Sequence, residues 1–381
     1  MAPNGGLQIG RIFGIPIYVH SSWFIIFALI TLMLRTQFIA LHSSWSPAQH
    51  WSLGVITSLL FFASVLFHEL AHSVVAMHYK IPVVSITLFV FGGLARIGRE
   101  AANAGQEFNI AIAGPISSYF LAGVFYLLAH HSGRFEMMGA AAGWLSVINA
   151  ILATFNLAPG FPLDGGRILR AIAWGITKDF AKATRIASRS GQLLAYMLIL
   201  LGVWQAFNGN WVNGLWLAFI GWFLRTAAQE TYAQVAIQST LAGLRAADIM
   251  TPDVPTVPRD MSLENYVQEV LRTGRRCHIV TGNGVPVGLV TLHAVRDCPR
   301  EEWSNTSVQA AMRKVDDIQW AAPSESVLEI LSRMRERDIN QMPVLEEGRI
   351  VGIVARDAIL RVLQTRIQVG DQLSVADRTR S

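Results

Sequence analysis

Over the first 226 positions apolar residues run in long stretches broken by short polar clusters; beyond them the sequence mixes apolar and charged positions in ordinary proportion. A helix needs roughly 17 to 25 such residues to cross a bilayer. Stretches approaching or meeting that length lie at about Ile17–Leu34, Ser52–Met77, Ile110–Ala129, Ala140–Leu157, Leu193–Phe207 and Val212–Leu224, the last two being short. Ile81–Leu94 is apolar too, but it is too short to cross and is rich in Val, Ile and Phe around Gly92-Gly93. It predicts a re-entrant β-hairpin, which is tolerable only where protein buries its backbone. The pattern therefore predicts a multi-pass α-helical membrane protein of about six spans, followed by a soluble part.

The soluble part repeats itself. Asp248-Ile249-Met250-Thr251-Pro252 opens one unit, which closes at Val287-Gly288-Leu289-Val290-Thr291. A second runs from Ser307–Met312 through Met342-Pro343-Val344 to Ile350-Val351-Gly352-Ile353-Val354. The expected organisation is a membrane domain over 1–226, a linker over 227–245, α/β modules over 246–304 and 305–366, and a disordered tail over 367–381.

Composition agrees, with 52% hydrophobic and only 15% charged residues in 381, against about a quarter charged in a usual soluble domain. Charge sets the orientation. Arg167, Arg170, Lys178, Lys182, Arg185 and Arg189 crowd between the fourth and fifth expected spans, while the opposite loops hold little beyond Arg35 and Arg134. The basic side is the cytoplasmic one. Six crossings put both termini and the repeats there, in the multi-pass topology of a cell-membrane protein. The net charge of +5 is accounted for by this bias and by contact with membrane lipids, so no nucleic-acid partner is implied. Met1–Gly10 lacks a basic start, and the first span is read as retained rather than cleaved. Cys277 and Cys298 form no CxxC pair, and reduced structural thiols are expected.

One span carries chemistry. His68-Glu69-Leu70-Ala71-His72 lies inside the apolar run Trp51–Met77. At i and i+4 the two imidazoles project from one helix face, spaced to share a zinc ion. Glu69 beside them can take a proton from an attacking water and pass it to a leaving amine. Such a five-residue pattern also arises by chance. Within a span, however, charged groups cost of order 2 to 3 kcal/mol each, so they are expected to face a polar cavity and serve function. A zinc hydrolase needs a third protein ligand. The candidate is Asp164, in the Asn156–Arg167 stretch where Pro159 and Pro162 break the helix and let the chain turn back; read alone, that stretch is more readily a span exit capped by an aspartate.

With these pieces in order, and with Phe91-Gly92-Gly93 and Ala113-Gly114-Pro115 between them, residues 1–226 resemble the site-2 protease family of intramembrane zinc metalloproteases. The resemblance implies one zinc ion per chain held by His68, His72 and Asp164, with Glu69 as general base and acid. It implies cleavage of a transmembrane segment of a single-span protein. Asn149 and Asn156 match asparagines the family keeps near the metal, where an amide can hold substrate backbone or an oxyanion; hydrogen bonding between spans is the alternative. The Gly92-Gly93 hairpin can pair with an unwound substrate strand, or merely plug the cavity. The repeats resemble a pair of cystathionine β-synthase (CBS) domains, which commonly pack together and bind adenine nucleotides, those that do so often carrying Gly-x-x-Ser/Thr-x-x-Asp. Here the aspartate positions hold Ala294 and Ala358, with Asp297 and Asp357 out of phase. Nucleotide binding is therefore not supported, and a homodimer through these domains or substrate docking stands as the alternative. Two further readings remain: an ion transporter gated by CBS domains, and an inactive scaffold, against which the intact His68, Glu69, His72 and Asp164 argue.

Overall fold

The computed structural model describes residues 6–275, 277–296 and 298–366. They divide into two compact units, with the boundary between Val235 and Ala236.

The first unit opens on a sheet that hydropathy alone conceals. Ile15, Ile17 and Val19 are buried while Pro16, Tyr18 and His20 are half-buried, a period of two that makes Ile15–His20 a strand (β2). It follows β1 (Gly6–Ile12), and the first helix, α1 (Ser21–Leu41), starts only at Ser21, where the His20 ring accepts from the Ser22 amide. The expected start of the first span at Ile17 is thus corrected. The expected hairpin is present as β3 (Val83–Phe89) and β4 (Gly92–Ile97), and the sheet runs β1-β2-β3-β4, with β2 and β3 parallel in the register Ile17↔Ile86. β4 ends the sheet.

Helix α2 (Pro47–His78) begins with a capping box: the Ser46 hydroxyl accepts from the Gln49 amide and the Gln49 side chain accepts from the Ser46 amide. α3 (Ala104–His130) is capped by Asn103, α4 (Glu136–Asn156) ends at Asn156, α5 (Asp164–Thr177) begins at Asp164, and α6 (Phe180–Phe207) is capped by Asp179. Five of these helices, α1, α2, α3, α4 and α6, are long and apolar enough to cross a membrane. They are built inside out. Phe24, Phe120, Val147 and Leu200 are exposed, while polar groups pair within, as where the Thr31 hydroxyl of α1 donates to Ser58 of α2 at 3.0 Å. In water those exposed apolar side chains would be unfavourable; against lipid they are at home. The expected sixth span falls in α7 (Trp211–Leu241), which is long enough but whose apolar stretch is diluted by Asn213, Arg225 and its tryptophans. Residues 227–241, expected as a linker, continue that helix.

The second unit has two halves with exchanged leads. In the first, α8 (Ala246–Ile249) is followed by β5 (Thr256–Pro258), α9 (Leu263–Thr273), β6 (Cys277–Gly282) and β7 (Val285–Thr291). After α10 (Leu292–Arg296) and α11 (Val308–Ala311), the short β8 (Arg313–Lys314) leads into the second half but pairs with β7, while Thr251, between α8 and β5 of the first half, bridges to Ile353 in the second. The second half completes with α12 (Val327–Glu336) and the hairpin of β9 (Gln341–Glu346) and β10 (Arg349–Ala355). Each half has its own core, around Tyr266 and around Met334, and Cys277, Ile279, Leu289, Ile318 and Ile353 join them. Burial pushes the Cys277 thiol up to about 12, so it behaves as an apolar side chain at neutral pH. The expected tail over 367–381 and Asp297 lie outside the described residues.

Candidate metal centre

His68 and His72 leave α2 on the same face, both 4% exposed, and meet Asp164 at the first position of α5. Asp164 Oδ2 lies 3.1 Å from His68 Nε2 and 3.2 Å from His72 Nε2, and the two nitrogens are 3.2 Å apart. Around an ion bound at about 2.0 to 2.1 Å, tetrahedral ligand atoms sit about 3.3 Å from one another. The three donors fit zinc. They are also the one group of three or more His, Cys, Asp or Glu side chains found converging among the described residues.

The other ring nitrogens fix the orientation. His72 Nδ1 is 2.6 Å from the Ile110 carbonyl oxygen, which can only accept, so Nδ1 carries the proton and donates it, leaving Nε2 with the lone pair a metal requires. His68 Nδ1 lies 2.9 Å from the Ser118 hydroxyl. Both partners are on α3, and between them stands Gly114. A Cβ built there would lie 2.2 Å from His72 Nε2 and 2.6 Å from His68 Nε2. The alanine methyl would sit where the donors converge, so Gly114→Ala should lower zinc occupancy of the purified protein at least about tenfold with helical content retained. Wild-type occupancy on metal analysis would show that the rings can retreat without cost.

Glu69 is half-buried beside the pair, with Oε2 accepting the Ala95 amide of β4 at 3.1 Å. The strand approaches this closely because of Gly93, where a Cβ would fall 2.4 Å from Glu69 Cγ. Gly92, with φ +122°, turns the chain into β4. Asn149 is fully buried, and its Nδ2 donates to Leu145 O at 2.8 Å and to Ser64 Oγ at 3.4 Å, one turn of α2 before His68. Both amide hydrogens are spent, while Oδ1 has no partner among the described residues. In this arrangement the Asn149 amide hydrogens are not free to hold an oxyanion. Asn156 is half-buried at the end of α4, one loop ahead of Asp164.

Sequence reasoning missed Glu107, a fully buried carboxylate in the first turn of α3 held by Arg167 and Arg170 of α5. The two arginines entered the charge count as part of the basic cytoplasmic segment; a partner sixty residues away in sequence is invisible to such a count.

Residues 56–140 and 130–199 match the pattern of Peptidase family M50, and residues 246–300 and 307–365 that of the CBS domain. The chain is 32% identical over 366 residues to a Synechocystis protein provisionally named a zinc metalloprotease, covering 95% of this chain and 96% of that one. It is 35% identical over 363 residues to Rip3 of Mycobacterium tuberculosis, which carries the same provisional description, covering 94% and 92%. Among solved structures, the site-2 protease of Methanocaldococcus jannaschii matches 60% of this chain and 95% of its own at 29% identity, with a TM-score of 0.41.

Proposed function

The chain belongs to peptidase family M50, as a membrane zinc metalloprotease with a C-terminal CBS pair, and from that premise we propose that it cleaves transmembrane segments of single-span proteins under control of that pair. One observation carries the reading: two imidazole nitrogens and a carboxylate oxygen converge on a helix apolar enough to lie in a membrane. In this proposal His68, His72 and Asp164 hold one zinc ion. Bound there, zinc would acidify water and polarise the scissile carbonyl. Glu69 takes the proton of the attacking water as its oxygen bonds to the carbonyl carbon, and delivers that proton to the amide nitrogen as the C–N bond breaks. Helical carbonyls are shielded by their own hydrogen bonds, so the substrate must first unwind. The open edge of β4 can receive the extended segment as an added strand, beside Glu69.

The orientation belongs to the same proposal. With Arg167 and Arg170 engaged by Glu107, four exposed bases, Lys178, Lys182, Arg185 and Arg189, still mark the cytoplasmic side. α7 serves as the sixth crossing, consistent with the exposure of Leu215, Trp216 and Trp222. The CBS pair then lies in the cytoplasm. A C-terminal reporter digested from outside intact cells would overturn this topology.

The test of function combines metal content of the purified protein with cleavage of a panel of single-span membrane proteins, with and without chelator. We expect zinc near one per chain and chelator-sensitive cleavage inside the hydrophobic segment. Zinc without cleavage favours a scaffold, and ion flux in vesicles without proteolysis favours a transporter.

For the CBS control, α7 is the proposed lever. Phe91, at the hairpin turn, stacks on Phe223 of α7 with ring centroids 4.2 Å apart, and the far end of the same helix, Leu241, is buried in a CBS core. Phe223→Ala should therefore change cleavage selectivity or rate several-fold with zinc content unchanged. ATP, ADP and AMP titrated into the whole protein should give no micromolar binding, because Ala294 and Ala358 replace the aspartates that would hold ribose hydroxyls. A calorimetric signal at micromolar nucleotide would sink that second expectation.

A further inference from the structure

Helix α3 does more than admit the two histidines. Its Ile110 carbonyl and Ser118 hydroxyl orient the rings, and one turn earlier it presents Glu107, fully buried in a helix apolar enough to span a bilayer. A carboxylate in such a place is stable only if paired. Arg167 supplies a fork, Nε donating to Oε1 at 3.1 Å and Nη2 to Oε2 at 3.5 Å. Arg170 donates to Glu107 Oε1, with a second contact to Glu100 Oε2 at 3.5 Å, and its guanidinium lies over the rings of Phe161 and Phe180.

Both arginines belong to α5, three and six residues beyond Asp164. The helix starts without a side-chain cap, since Leu163 precedes it. Its two charged anchors therefore stand next to the one residue whose placement the metal centre needs. A helix with side chains is about 10 to 12 Å across, so a carboxylate at its rim moves roughly 2 Å when the helix rolls by about 20°. Ligand distances in zinc sites hold within about 0.2 Å. Two anchor points on adjacent turns oppose such a roll more firmly than one does, because rotation that relaxes one ion pair stretches the other.

We propose that Glu107 is a positioning residue: through Arg167 and Arg170 it sets α5 against α3, so that Asp164 is held in register with the two histidines that α3 itself orients. The inference rests on reading Asp164 as a metal ligand. A staple that serves only to hold the membrane domain together would strengthen the fold and leave the centre indifferent.

The test uses the full chain in lipid nanodiscs, with zinc affinity read by chelator competition and ligand geometry by the visible absorption of the cobalt(II)-substituted protein. Glu107→Gln should weaken zinc about tenfold and shift the cobalt bands, in line with the effect of removing partners that orient metal ligands. In an Asp164→Ala background the same change should alter the residual affinity by less than about twofold, because the residue through which it acts is gone. Arg167→Lys conserves charge but removes the fork, and should give a smaller loss with the same band shift. It carries the test if Glu107→Gln does not fold. Wild-type affinity and spectrum in a folded Glu107→Gln, or in Arg167→Lys when that variant stands in, would overturn the proposal, as would equal losses in both backgrounds. If Asp164→Ala itself keeps full zinc affinity, the ligand reading falls, which is a separate result.

Discussion

Glu69→Gln should lower cleavage by about 10² to 10⁴-fold, the range expected for losing a positioned general base, while zinc stays bound. The substitution is clean because of what the side chain touches. Glu69 Oε2 accepts the Ala95 amide at 3.1 Å, and a glutamine carbonyl can accept the same hydrogen, so the packing of β4 against α2 survives. His68, His72 and Asp164 keep their own partners, and none of the three hydrogen-bonds to Glu69. What disappears is the group that can receive a proton from water and return it to the leaving nitrogen. The measurement pairs metal analysis with the initial rate on a purified single-span substrate, contaminating proteases excluded by the chelator control. A rate near wild type would remove Glu69 from the mechanism. Loss of zinc along with activity would instead assign it to the metal centre's structure.

The distribution of what could be read from sequence follows from range. His68 and His72 are legible because an i,i+4 spacing is local and means the same thing on any helix. Asp164 was legible only as a candidate, since Pro159 and Pro162 announce a break in the chain but not where the chain goes next. The structure carries it to 3.1 Å from His68. Ile15–His20 was concealed because a six-residue alternation abutting a strongly apolar helix raises the local hydropathy just as the helix does. Alternation would have separated them: Ile15, Ile17 and Val19 face in, while Tyr18 and His20 do not. Glu107 was beyond reach in principle. A lone acid ahead of an apolar run reads as an N-terminal charge favourable to the helix dipole, and nothing local ties it to Arg167 and Arg170.

Asp164→Ala should cost zinc and activity together, with affinity falling at least about a hundredfold, because two imidazoles are left to bind the ion without an anionic partner. The fold should stay. α5 is held by Arg167 and Arg170 on Glu107, not by Asp164, whose first-turn position makes no side-chain cap. Thermal unfolding of the metal-free variant should therefore stay close to that of metal-free wild type, which separates loss of a ligand from loss of structure. Asp164→Asn sharpens the point: it keeps the shape and one neutral oxygen, and should recover part of the affinity but not the wild-type value, since the missing element is charge. Competition with a zinc chelator orders the three proteins. Full affinity in Asp164→Ala would place the third ligand elsewhere and leave the 3.1 and 3.2 Å contacts to His68 and His72 as an ordinary buried ion pair.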